Sequence, residues 1–152
     1  MKRIGLWFLA AIITCAVLFV AVLLYQWTVY EPDPPTVANC QSIETLVTAD
    51  SAAQIYVYQC QRGANPKWEG YEVWAQKLVN QEWQRLATSP MAAGCIDVAL
   101  EDRRLLILHE ASRGDLSVAA SSFVYELPEG AATTLSVATE RVNDCGTEKL
   151  EN

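Results

Sequence analysis

From Ile4 to Tyr25 the chain reads IGLWFLAAIITCAVLFVAVLLY, apolar throughout, with Lys2 and Arg3 before it and Glu31 and Asp33 after it. As a helix this run rises about 33 Å, enough for a hydrocarbon core of roughly 30 Å. Trp7 and Phe8 near one end, and Tyr25, Trp27 and Tyr30 near the other, fall where interfacial rings are favoured. The pattern predicts one transmembrane helix, with residues 4–30 touching the lipid bilayer. The flanking charges then place the N-terminus in the cytoplasm and residues 31–152 in the periplasm or another extracytoplasmic space. A cleaved signal peptide has an apolar region of about 7–15 residues and a cleavage site of small residues. LLYQWTVYE offers bulky ones instead, so the segment reads as a retained signal-anchor. Cys15 follows Thr14 and precedes ten more apolar residues, which argues against lipidation. Ala10, Thr14 and Ala21 fall on one strip of the helix, where small side chains would let a second helix approach closely.

Past the span, Glu31-Pro32-Asp33-Pro34-Pro35 is a stiff exit that cannot continue a helix. Residues 39–48 fit a short helix or a strand equally well. AAQIYVYQC, 52–60, carries Ile55, Tyr56, Val57 and Tyr58 in succession and reads as a strand. Asn65-Pro66 looks like an N-cap followed by proline at the first helical position. From there Trp68, Tyr71, Ala75, Leu78, Val79 and Leu86 fall in one helical arc, with Trp74 and Trp83 at its shoulders. An amphipathic helix over 67–87 is the result, stopped by Thr88-Ser89-Pro90. After Gly94 the period becomes two. CIDVAL (95–100), RLLILHE (104–110), LSVAASSFVYEL (116–127) and TTLSVATERV (133–142) read as strands. Short turns between them allow only antiparallel neighbours, although AASS in the third marks a bulge or a break.

The expected fold class is therefore α+β: an N-terminal transmembrane helix, then a small disulfide-stabilised domain with an antiparallel β-meander and one packed amphipathic helix. Its divisions are a cytoplasmic tip and anchor (1–30), a proline-rich linker (31–38) and the folded domain (39–152).

Charge and cysteines sharpen this picture. Setting aside Lys2 and Arg3 leaves 9 basic residues against 18 acidic ones, a formal charge of −9. Such a field disfavours nucleic acid. Cys40, Cys60, Cys95 and Cys145 imply two disulfides, with three connectivities open. Cys60–Cys95 with Cys40–Cys145 is favoured, because the second bond would tie the end of the chain to the start of the domain. Spacings of 20, 35 and 50 residues do not resemble zinc or iron–sulfur ligation, and no metal or cofactor is expected.

Candidate chemistry is sparse. His109 is the lone histidine, and one nitrogen ligand on one strand makes no zinc centre. No GxSxG elbow accompanies it. Glu82 falls inside the apolar arc of the expected helix, where it needs a base or a partner. Trp74, Glu82 and Trp83 are the expected partner contacts, since tryptophan dominates interface hot spots. Arg113-Gly114-Asp115 resembles the integrin-binding tripeptide, but Gly-Asp is also ordinary turn chemistry. Lys2-Arg3-Ile4-Gly5 before an apolar helix resembles type IV pilins and pseudopilins, which implies cleavage after Gly5 and assembly through the helices. The chain departs from that family at Ala10, where those proteins carry glutamate, and at the EPDPP stop, so no family is assigned.

Together these features predict a non-catalytic accessory or structural subunit of a membrane protein complex. It would be held by one span with its domain in the periplasm of a bacterial inner membrane. Membrane protein subunits would contact the span and the aromatic helix face. The alternative is an anchored binding or inhibitory module for a soluble, basic protein or ligand. An enzyme built on His109 or Glu82 is disfavoured.

Overall fold

The computed structural model describes the backbone of residues 2–28, 33–64 and 67–145, and the side chains of 12–25, 33–64 and 67–145. The chain divides into two units, Met1–Asp33 and Pro34–Asn152. The first carries α1 (Lys2–Thr28). Among the described residues, no helix is long and apolar enough to cross a membrane. The expected span, the bilayer contact of residues 4–30 and the localisation derived from them are corrected accordingly. Thr14 and Ala21 are exposed on α1; the side chain of Ala10, like Asn65 and Pro66, lies outside the described residues.

The second unit is built from strands. These are β1 (Cys40–Val47), β2 (Ala53–Arg62), β3 (Trp68–Lys77), β4 (Trp83–Pro90), β5 (Ile96–Glu101), β6 (Arg104–His109), β7 (Ser117–Val118), β8 (Ser122–Glu126) and β9 (Ala132–Arg141). They form a five-stranded sheet in the order β1-β2-β3-β4-β7 and a four-stranded sheet in the order β5-β6-β9-β8. Inward side chains of the two sheets share one core. Ile55, Val57, Val73, Ala75 and Leu86 come from the first; Ile96, Val98, Leu105, Ile107, Phe123, Tyr125 and Leu135 come from the second. This is a β-sandwich, so the α+β expectation is wrong.

The decisive difference is the segment 67–87. It is not an amphipathic helix but the β3–β4 hairpin, paired from Gly70↔Pro90 to Gln76↔Trp83. Trp68, Tyr71, Val73 and Trp74 carry the aromatic and β-branched side chains that fit a pleated surface. Residues 78–81 form the loop, closed by a hydrogen bond from the Lys77 N–H to the Glu82 carbonyl (2.9 Å). Gln81 accepts a left-handed conformation there (φ 60°), steadied by its side chain donating to the Leu78 carbonyl (2.9 Å).

The second sheet also departs from a meander. β5–β6 and β8–β9 are antiparallel, as short links demand, but β6 pairs with β9 in parallel. The expected strand 116–127 breaks in two. β7 joins β4 in the other sheet, through Ala87↔Val118 and Thr88↔Ser117, and the chain returns as β8. Crossing between sheets supplies the connection that a parallel neighbour requires. The strand registers fix the disulfides, which are Cys40–Cys60 and Cys95–Cys145 rather than the favoured pairing. Cys40 and Cys60 face each other in the β1–β2 register with Cα atoms 4.1 Å apart. Because β9 runs parallel to β6, it ends beside His109, and β6 in turn pairs with the start of β5. Cys145 is thereby delivered to Cys95, Cα to Cα 6.1 Å.

A polar tie joins the sheets at the β1–β2 turn. Asp50 accepts from the Thr48 hydroxyl (2.6 Å), the Ala52 N–H (3.0 Å) and, across the sandwich, the Tyr125 hydroxyl (2.8 Å). Burial alone would raise the Asp50 pKa, but these donors outweigh it and hold the carboxyl below its ordinary 3.8. Burial, then the Asp50 bond and charge, push Tyr125 up to about 12. A raised phenol pKa favours the neutral form in the native state. Its contribution is full below pH 10 and shrinks as pH climbs towards 12. Urea unfolding at pH 9, 10.5 and 11.5 should therefore show falling stability. Tyr125→Phe should be about 1 kcal/mol less stable at pH 9, with a shallower alkaline loss; equal slopes in the two proteins would refute the tie.

Candidate functional site

Side chains alternate along a strand. Val73 and Ala75 enter the shared core, so Gly70, Glu72, Trp74 and Gln76 occupy the outer face of the five-stranded sheet. By register, Tyr56, Tyr58, Cys60 and Arg62 of β2 and Trp83 and Arg85 of β4 share that face. A solvated sheet face normally alternates towards polar residues. Here Glu72 is 1% exposed and Trp74 2% exposed, which makes the outer face a second packed layer.

Its base is an ion pair. Arg62 Nε donates to Glu72 Oε1 (2.9 Å) and Arg62 Nη2 to Oε2 (2.7 Å), while the Trp74 indole N–H also donates to Oε2 (2.7 Å). The bidentate geometry satisfies a carboxylate that would otherwise be costly to bury. Trp68 lies over Gly70, where an added Cβ would collide with its ring and with the Ser89 carbonyl. The Cys40–Cys60 sulfurs and a Glu72 oxygen lie within 4.8 Å of one another. Both sulfurs are consumed in the disulfide and Glu72 is engaged by Arg62 and Trp74, so this group does not suit an ion.

On this base stands an aromatic cluster. Tyr56 stacks with Tyr58 (centroids 5.7 Å) and meets Trp83 at 5.1 Å, and Trp83 meets Trp74 edge-on at 6.5 Å. Tyr56, Tyr58 and Trp83 are half-buried, so part of each remains accessible. The Tyr56 hydroxyl bonds to Gln54 and to Gln76 (3.2 Å), and Gln76 donates to Gln81 (2.9 Å). Burial pushes the phenols of Tyr56 and Tyr58 up, with Tyr56 adding to the rise at Tyr58; both hydroxyls stay neutral donors.

Of the expected partner contacts, Trp74 and Trp83 do come together, though Trp74 lies beneath the cluster rather than at an exposed shoulder. Glu82 lies apart, exposed at the hairpin tip beside Lys77 (2.8 Å). The Lys77 hydrogen bond, then that from Asn80, lowers its pKa. His109 ends β6, 9% exposed, with its Nδ1 unpartnered. Arg113-Gly114-Asp115 forms a turn with Gly114 at φ 97°. Sequence reasoning missed Arg62, Glu72 and Tyr56. The signal present was the period-two placement of Tyr56 and Tyr58, and of Glu72 and Trp74, on neighbouring strands. No protein-family model, curated protein or solved structure matches the chain.

Proposed function

We propose that the sandwich is a non-catalytic binding module that docks a protein partner on the outer face of its five-stranded sheet. The observation carrying this reading is the ring cluster of Tyr56, Tyr58 and Trp83 seated on the immobilised Glu72–Arg62–Trp74 base. Tyrosine and tryptophan supply large contact area at low entropy cost, and a fixed base lowers the ordering cost of binding. The chain's net charge of −7 opposes association of like copies, which favours a foreign partner. The membrane-subunit expectation rested on the span and is not carried forward.

A photo-crosslinking residue placed at Tyr58, with one at Val124 on the other sheet as control, would identify the partner. Trp83→Ala and Tyr58→Ser should then weaken purified-partner binding by tenfold or more, a hot-spot effect of about 2 kcal/mol, with the far-ultraviolet spectrum unchanged. Stronger crosslinking from Val124, or unaltered affinity in both variants, would overturn the proposal.

A further inference from the structure

Arg85 lies on the same outer face, opposite Trp74 in the β3–β4 register and two residues along from Trp83. Its side chain is half-buried, and its Nε is fully buried without a hydrogen-bond partner. A buried donor left unmatched is costly, and native interiors rarely leave one so. The hairpin holds three carboxylates that could have served it, and each is engaged elsewhere. Glu69 accepts from Gln61 (2.9 Å), Glu72 from Arg62 and Trp74, and Glu82 from Lys77 (2.8 Å). In an acidic chain, this guanidinium thus shares a sheet face with the aromatic cluster and has no ion pair among the described residues.

We infer that Arg85 is the anchor for a carboxylate of the docking partner, an acidic side chain flanked by an apolar or aromatic residue that lies against Trp83. Guanidinium and carboxylate match as planar forks, and the pair gains strength where rings exclude water. The aromatic neighbour supplies area and the carboxylate supplies register, pairing with the outer Nη groups of the half-buried side chain and offsetting the charge of a guanidinium whose Nε lies buried without a partner. This inference rests on the proposed docking face but can fail separately from it.

The test uses the intact protein and two small probes: N-acetyl-Phe-Glu-amide and its glutamine counterpart. The arginine Nε–H signals are followed by NMR, that of Arg85 being assigned by its absence in Arg85→Lys. The glutamate probe should shift the Arg85 signal saturably, with the glutamine probe at least tenfold weaker. Arg85→Lys keeps the charge and loses the fork; it should weaken the glutamate probe's effect on the Trp83 indole signal by tenfold or more. Equal responses to the two probes, no response to either, or full retention in Arg85→Lys would each overturn the inference. Tyr58→Ser and Trp83→Ala could still abolish partner binding in that event, which would leave the docking face intact and remove only its anchor.

Discussion

Replacing Arg62 with alanine should cost about 3–5 kcal/mol of unfolding free energy, the usual penalty for orphaning one member of a buried ion pair. Glu72 is 1% exposed while the Arg62 side chain is 20% exposed, so the two partners are not equivalent. Without Glu72, the guanidinium can turn to water. Without Arg62, the carboxylate stays buried with the Trp74 N–H as its remaining donor among those described. The asymmetry predicts that Glu72→Gln is milder than Arg62→Ala. Combining the two changes should recover more than half of the Arg62→Ala loss, since the amide oxygen still accepts from Trp74 and carries no charge. Urea midpoints of the three variants decide the matter. A double variant no better than Arg62→Ala would show that packing of the arginine stem, not the stranded charge, dominates.

Removing the Cys95–Cys145 bond by alanine at both positions should cost up to about 4 kcal/mol, the chain-entropy value for a loop of this size. The bond spans 50 residues, against 20 for Cys40–Cys60, and it secures the segment that follows β9. The Cys40–Cys60 bond crosslinks two strands already in register and closes the shorter loop. Its removal should cost about 3 kcal/mol at most by the same relation. Denaturant unfolding of the two double variants gives the ranking; a loss below 1 kcal/mol for Cys95 and Cys145 would contradict it.

Local strand signals were legible wherever one face was wet. The pattern at 52–60, 95–100, 104–110 and 133–142 anticipated β2, β5, β6 and β9 within a residue or two. What misled was 67–87. Residues 72–76 are buried on both faces of the sheet, so period two vanished at the hairpin's centre. The bulge opposite Val73 and Trp74 then shifted the phase of β4, and the surviving apolar positions imitated a helical arc. Wet and dry cannot be told apart from sequence when a charged Glu72 is interior because Arg62, ten residues earlier, reaches it. The parallel β6–β9 pairing and the Cys95–Cys145 bond were hidden for a related reason: they depend on β7 leaving for the other sheet, and two residues of strand leave almost no periodic trace. The candidate site was legible only in its tryptophans.

Parallel pairing of the last strand with β6 also sets when this domain can mature during synthesis. Until residue 141 has emerged, the β5–β6 hairpin has no neighbour on its β6 side, and Leu105 and Ile107 have no Leu135 from β9 to pack with. The nascent chain must therefore hold a sticky, half-built layer through the production of some thirty residues, a window in which chaperone capture competes with misassociation.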